Sequence, residues 1–153
     1  MRALELKVPP VALVVLLAAA MAGLARVAPA LTWQLPGAAG VAASLAVLGV
    51  AVAVAGVLAF RRAGTTVNPT RPEDSSAVVT TGVYRFSRNP MYLGMLLALV
   101  GWAVWLAHPL ALLGPPVFVL WMNRFQIAPE ERALASHFGL AYTRYCARVA
   151  RWL

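Results

Sequence analysis

A single cysteine, Cys146, stands in 153 residues, so no intrachain disulfide can form and the thiol reads as a spectator. Only five residues are acidic and only two are histidine, and no His/Cys/Asp/Glu cluster has metal-ligand spacing, so no metal is expected. Charge is scarce overall: Asp, Glu, Lys and Arg make up 12%, roughly half of what a soluble domain carries. That shortage excludes an ordinary soluble fold.

What fills the chain instead is apolar. Hydrophobic residues make up 61%, the mean hydropathy is +0.76, and there are apolar runs long enough to cross a bilayer. The fold class is therefore all-α: a single polytopic membrane helix bundle of about four transmembrane helices plus a C-terminal cytoplasmic interfacial helix. The spans are expected at about residues 8–25, 38–60, 90–107 and 109–122. Pro9 and Pro10 suit the start of the first. Ala42, Ala46, Gly49, Ala53 and Gly56 recur in the second at spacings that permit close helix contact. Gly114-Pro115-Pro116 predicts a bent or partly re-entrant fourth helix. Arg2, Lys7, the apolar run and Ala28-Pro29-Ala30 have the layout of a cleaved signal. The run over 8–27 exceeds the roughly 7–15 residues of a signal core, so a retained span is expected.

The formal net charge of +8 would suggest a nucleic-acid partner in a soluble protein. Here the arginines flank apolar runs, which marks the cytoplasmic side and argues for no nucleic acid. Arg2 and Lys7 precede the first span; Arg61, Arg62, Arg71, Arg85 and Arg88 lie between the second and third. Arg124, Arg132, Arg144, Arg148 and Arg151 follow the fourth, leaving Arg26 alone on the other side. Both termini are thus expected in the cytoplasm, with the protein integral to the cell inner or plasma membrane. Glu5, Glu73, Asp74, Glu130 and Glu131 share that side.

Between the middle spans, Asn68-Pro-Thr-Arg-Pro-Glu-Asp-Ser-Ser76 reads as turns and extended chain. Past a break at Pro129, Leu134, Phe138, Ala141, Tyr145, Val149 and Trp152 form the apolar stripe of an interfacial helix. Arg144, Arg148 and Arg151 fall on another face, and Gly139 weakens the middle. His108 is expected to be structural on the outer side, and His137 solvated or packed. Trp102 and Trp105 are expected near the outer interface.

Two clusters carry the chemistry. In Gly82-Val-Tyr-Arg-Phe-Ser-Arg-Asn-Pro-Met-Tyr-Leu-Gly94, Pro90 suits the first position of a helix and Asn89 its cap. The helix opening and Arg88 then form an anion site at the membrane surface, and Tyr84, Phe86 and Tyr92 offer aromatic faces. Taken alone, this is also what a helix cap within an interfacial belt looks like. In Pro129-Glu-Glu131, two carboxylates open a helix, which stabilises the helix by itself or holds a ligand cation or ribose. A ligand with a carboxylate, an ammonium, a sulfonium, a ribose and an adenine satisfies both clusters, and S-adenosyl-L-methionine is one.

The segment over 80–94, followed by Pro129-Glu-Glu-Arg132, Phe138-Gly139, Tyr142 and Tyr145, resembles the isoprenylcysteine carboxyl methyltransferase and phospholipid methyltransferase superfamily over about residues 64–152. The resemblance implies S-adenosyl-L-methionine as cofactor, bound over about 80–94 and 124–152. By position, Tyr84, Arg88, Asn89, Pro90, Tyr92 and Gly94 would form one wall of the site and Glu130 and Glu131 the other, with Arg88 and Glu131 catalytic. Many members carry histidine where this chain has Asn89, which cannot serve as a base at neutral pH. A carboxylate acceptor needs no base, so isoprenylcysteine-type O-methylation of a lipophilic or lipidated substrate is expected. A phospholipid amine is the alternative; its proton would go to Glu130, Glu131, Tyr84 or Tyr92. Arg85 or Arg124 is expected to hold the acceptor's polar head. The acceptor would enter laterally, between spans loosened by Gly94, Gly101 and Pro115-Pro116. Two rival classes are a non-catalytic membrane scaffold and a small four-span exporter, the latter disfavoured because no span interior holds an ionisable residue.

Overall fold

The computed structural model describes residues 4–65 and 75–153, and among these the chain is all-helical with no strand. Asn68 to Asp74 and Arg2, which entered the reading above, lie outside the described residues. Six α-helices follow in order: α1 (Pro10–Val27), α2 (Ala38–Arg62), α3 (Pro90–Leu106), α4 (Gly114–Trp121), α5 (Ala128–Phe138) and α6 (Leu140–Cys146). Short 3₁₀ turns lie at Pro29–Leu31, Gly82–Arg85 and Pro109–Leu113, and a π-helical segment spans Met122–Ile127. Proline stands in the first turn of α1, α3 and α4, where a missing N–H breaks no helical bond.

Helices α1 and α2 are long and apolar enough to cross a bilayer; α3 is apolar but shorter, at 17 residues. Val11, Val15, Leu16, Val47, Val50 and Leu58 all face outward. Such an apolar exterior is tolerated in lipid and not in water.

Helices α2 and α3 pack almost backbone to backbone. A Cβ on Gly49 would stand 2.5 Å from the Gly94 carbonyl oxygen, and one on Gly101 would stand 2.9 Å from that of Ala42. Gly56 leaves room for Met91 in the same way. The small-residue spacing of α2 thus does what it predicts. The expectation that Gly94 and Gly101 loosen the spans is corrected, since they let the α2 and α3 backbones approach closely. Helix α1 closes the other side: Met21 fills the space over Gly114, and the Trp102 indole N–H donates to the Ala18 carbonyl at 3.0 Å. His108 is fully buried; its Nδ1 accepts from the Leu110 N–H, and its Nε2 lies 3.0 Å from the Ala28 carbonyl oxygen. It ties two chain turns together, the structural role expected of it.

Three local expectations are refined. The fourth span changes from a 3₁₀ turn to α-helix at Gly114, with Pro115 and Pro116 in the first turn of α4, and a second irregularity follows at the π segment. Pro129 does not break the chain, because helix continues from residue 114 to residue 138 through that segment. Its missing N–H removes a helical donor to the Phe125 carbonyl, which accepts instead from the Leu6 N–H at 3.0 Å. The C-terminal amphipathic helix is really two helices, broken at Gly139 with φ at +53°. The break rotates the buried face, so Tyr142 is buried with Tyr145 while Ala141 is exposed. That face packs on Val79 and Tyr84 of this chain rather than on lipid.

Gly94→Ala is expected to lower the thermal midpoint of the detergent-solubilised protein by the equivalent of about 1–3 kcal/mol, the range for overpacked cores. Gly23→Ala on α1, where nothing lies within 4 Å of the added carbon, should leave the midpoint unchanged or raise it slightly, alanine being the better helix former. Equal losses in both variants would contradict the close α2–α3 crossing.

Candidate functional site at the mouth of the third helix

The doorway is shaped by a 3₁₀ turn at Gly82–Arg85, entered with Gly82 at φ +62°. This turn buries Tyr84 against Phe60, ring centroids 5.2 Å apart, and the Tyr145 hydroxyl donates to the Tyr84 carbonyl at 2.8 Å. Asn89 occupies the N-cap position of α3, but its side chain makes no cap bond, contrary to expectation. The cap-like bond comes one step earlier, where the Asn89 N–H donates to Ser87 Oγ at 3.1 Å. Asn89 Nδ2 donates to the Arg151 carbonyl at 3.0 Å, and the Arg88 N–H to the Ala150 carbonyl, also at 3.0 Å. The doorway is stitched to residues 150–151.

Across from it, the first turn of α5 presents both glutamates. Glu131 Oε1 lies 3.2 Å from Arg88 Nη1 and accepts from Arg151 Nε at 3.1 Å, and Arg151 Nη2 donates to Oε2. Glu130 Oε1 accepts from the Tyr92 hydroxyl at 2.6 Å and from Gln126 Nε2. The two carboxylates, adjacent in sequence, therefore live in opposite electrostatic settings. Glu131 is held by two guanidinium groups, while Glu130 has neutral donors. Burial pushes Glu130 up to about 7; the Tyr92 and Gln126 hydrogen bonds offset part of that rise. Burial likewise raises the Tyr84 and Tyr142 phenols, which stay protonated at neutral pH, so Tyr84 is removed as a base. The Arg88 Nε is buried with no acceptor.

Arg88, Asn89, Tyr92, Glu130 and Glu131 are thus brought together, as the spacing suggested, with Tyr84 packed behind them. Gly94 is not among them: its missing Cβ faces Ala53 and Gly49 of α2, and it serves helix packing. Pro90 is buried beside Gly56 of α2 and shapes the doorway without facing the carboxylates. Arg124 pairs with Glu5 at 2.8 Å and lies over the Phe125 ring at 5.3 Å, apart from the carboxylate cluster, and ties the N-terminal segment to the π segment. Arg85 is exposed and lines a recess of about 480 Å³ with Thr80, Thr81, Tyr145, Arg148 and Val149.

Sequence reasoning missed Gln126, Arg151 and Ser87. Gln126 had a signal, a polar residue closing an apolar run four positions before Glu130. Arg151 had none, because helical spacing put it on a solvent face, whereas the helix ends at Cys146 and the chain turns inward.

The cluster between the helices holds both charge signs beside aromatic rings, on an otherwise largely apolar helical framework. The phospholipid methyltransferase family model matches residues 38–141, and the chain belongs to that family. It is 31% identical over 106 residues to protein-S-isoprenylcysteine O-methyltransferase B of Arabidopsis thaliana, covering 69% of this chain and 54% of that protein. It is 37% identical over 81 residues to protein-S-isoprenylcysteine O-methyltransferase of Saccharomyces cerevisiae, covering 52% of this chain and 34% of that one. An uncharacterized protein of Haemophilus influenzae is 52% identical over 63 residues, which is 41% of this chain and all of that one. The chain spans about half, or less, of the length of the named methyltransferases it matches. No solved structure matches it.

Glu131→Ala is expected to cost about 2–3 kcal/mol of stability, because it strands two guanidinium groups of which Arg88 has a side chain only 15% exposed. Glu5→Ala should cost less than about 1 kcal/mol, since its partners Arg124 and Arg132 are 47% and 59% exposed. Chemical denaturation of both variants checks the ranking.

The raised Glu130 value also sets a pH dependence. The folded state prefers the protonated carboxyl, so this group's stabilisation is present below about 4.5 and is lost as pH rises toward about 7. Thermal midpoints taken across that window should fall more steeply for the native chain than for Glu130→Gln. Parallel slopes would show that Glu130 does not titrate there.

Proposed function

We propose that the chain is an S-adenosyl-L-methionine-dependent methyltransferase acting at the cytoplasmic membrane face on a lipophilic acceptor. The observation that carries this reading is the closure of the 87–92 doorway onto Glu130 and Glu131. Family membership supports it, as do relatives named O-methyltransferases. Four spans with both termini cytoplasmic fit the lysine and arginine distribution, and put this cluster at the inner leaflet.

The donor set fits the cofactor. Arg88 has a buried Nε without an acceptor, suited to a carboxylate, and Glu130 has only neutral partners, suited to a cation. When bound, the cofactor supplies a methyl group on a positively charged sulfur. The residues' task is to hold donor and acceptor in line and to exclude water. Tyr92 and Gln126 fix the direction of the Glu130 carboxylate, while Arg88 and Asn89 fix the doorway. A carboxylate acceptor, as in isoprenylcysteine O-methylation, loses no proton, so Glu130 is free to face the cofactor's positive charge. With Arg124 tied to Glu5, Arg85 in its recess is the residue left to hold the acceptor's head.

One observation favours a second reading, N-methylation of a phospholipid amine. Glu130, pushed to about 7, is well matched to accept an amine proton at neutral pH.

Calorimetric titration of the detergent-solubilised protein should show S-adenosyl-L-methionine binding that Arg88→Ala weakens about tenfold, the scale of one charged hydrogen bond. Transfer of a tritiated methyl group to a farnesylcysteine carboxylate, and not to phosphatidylethanolamine, is the expected outcome. No binding by the native chain would sink the proposal.

A further inference from the structure

We infer that Arg151 is a cofactor-binding residue, the second arm of a clamp whose first arm is Arg88, and that it takes the carboxylate of the methyl donor's amino-acid portion. The inference rests on the methyltransferase reading and names one of its contacts. Residues 150–152 leave α6 and pass between the two halves of the site. The Ala150 and Arg151 carbonyls receive the Arg88 N–H and Asn89 Nδ2, and the Trp152 indole N–H donates to Asn123 Oδ1 at 3.0 Å in the π segment. The Arg151 backbone is therefore held from both sides, and its side chain is aimed by that anchoring onto Glu131.

Charge decides what this arrangement attracts. Two guanidinium groups share one carboxylate, which leaves a net positive charge at the junction. Glu131 is engaged by both arginines through three contacts, so its work is to orient them. Each arginine keeps donor capacity: Arg88 has its orphaned Nε, and the Arg151 side chain is 36% exposed while using only Nε and Nη2 on Glu131. Paired planar guanidinium groups match a carboxylate better than a single one does. The cationic part of the same ligand goes to Glu130, whose partners are neutral.

The test compares two ligands. S-adenosylhomocysteine carries the amino-acid carboxylate, and 5′-methylthioadenosine shares the nucleoside and sulfur but lacks it. Arg151→Gln should weaken S-adenosylhomocysteine binding roughly tenfold, the effect of losing a charged donor, and leave 5′-methylthioadenosine within about twofold. Arg151→Lys keeps the charge and loses the fork, so it should weaken the first ligand several-fold and spare the second; it serves as the readout if the glutamine variant does not fold. Equal losses for both ligands, or no loss for either in the lysine variant, would overturn the inference while leaving the methyltransferase reading standing. A native chain that binds neither ligand overturns both.

Discussion

The ion pair between Arg88 and Glu131, with Arg151 closing its far side, joins the mouth of α3 to the start of α5 and holds the chain after α6 against both. These segments are distant in sequence, and each alone is an ordinary helix start. Guanidinium groups carried on separate segments can share one carboxylate only where the backbones around them are held still. The backbone bonds from Arg88 to Ala150 and from Asn89 to Arg151 do that holding. Partial burial makes the pair matter, because a charge there has little water to fall back on.

That junction depends in turn on the π segment. A helix running regularly from α4 into α5 would place Gln126 and Glu130 at a different angle to α3. The extra residue per turn, with the Ala128 N–H reaching back to the Asn123 carbonyl, brings both under the Tyr92 hydroxyl. The Phe125 carbonyl that Pro129 leaves without its helical donor is met by Leu6, and Glu5 beside it pairs with Arg124 and Arg132. The N-terminal segment therefore steadies the distorted stretch from outside, while α2 steadies α3 through glycine contacts.

Much was legible beforehand for identifiable reasons. Apolar runs mark α1, α2 and α3 because bilayer thickness demands a minimum length. Small residues on α2 mark its close partner because only a missing Cβ lets backbones approach. Pro90 marks the start of α3 because its ring suits a first turn. The doorway and the paired glutamates were legible as clusters since charge and aromatic residues are otherwise rare here. The failures share a cause. Pro129 and Asn89 each have a local meaning that neighbours far along the chain replaced. The carbonyl that Pro129 leaves without a donor is met from the N-terminal segment, and the asparagine donates to the Arg151 carbonyl instead of capping its own helix.

Composition and periodicity determined by themselves that this chain is helical and apolar, with its charge gathered outside the apolar runs, because those properties follow from length, side-chain type and spacing. Only the tertiary structure decided that Glu130 and Glu131 are unlike, that Gly94 packs helices, and that Arg151 joins the site. Neighbouring carboxylates on a helix point in different directions, and what each one meets is supplied by segments whose approach no local pattern encodes.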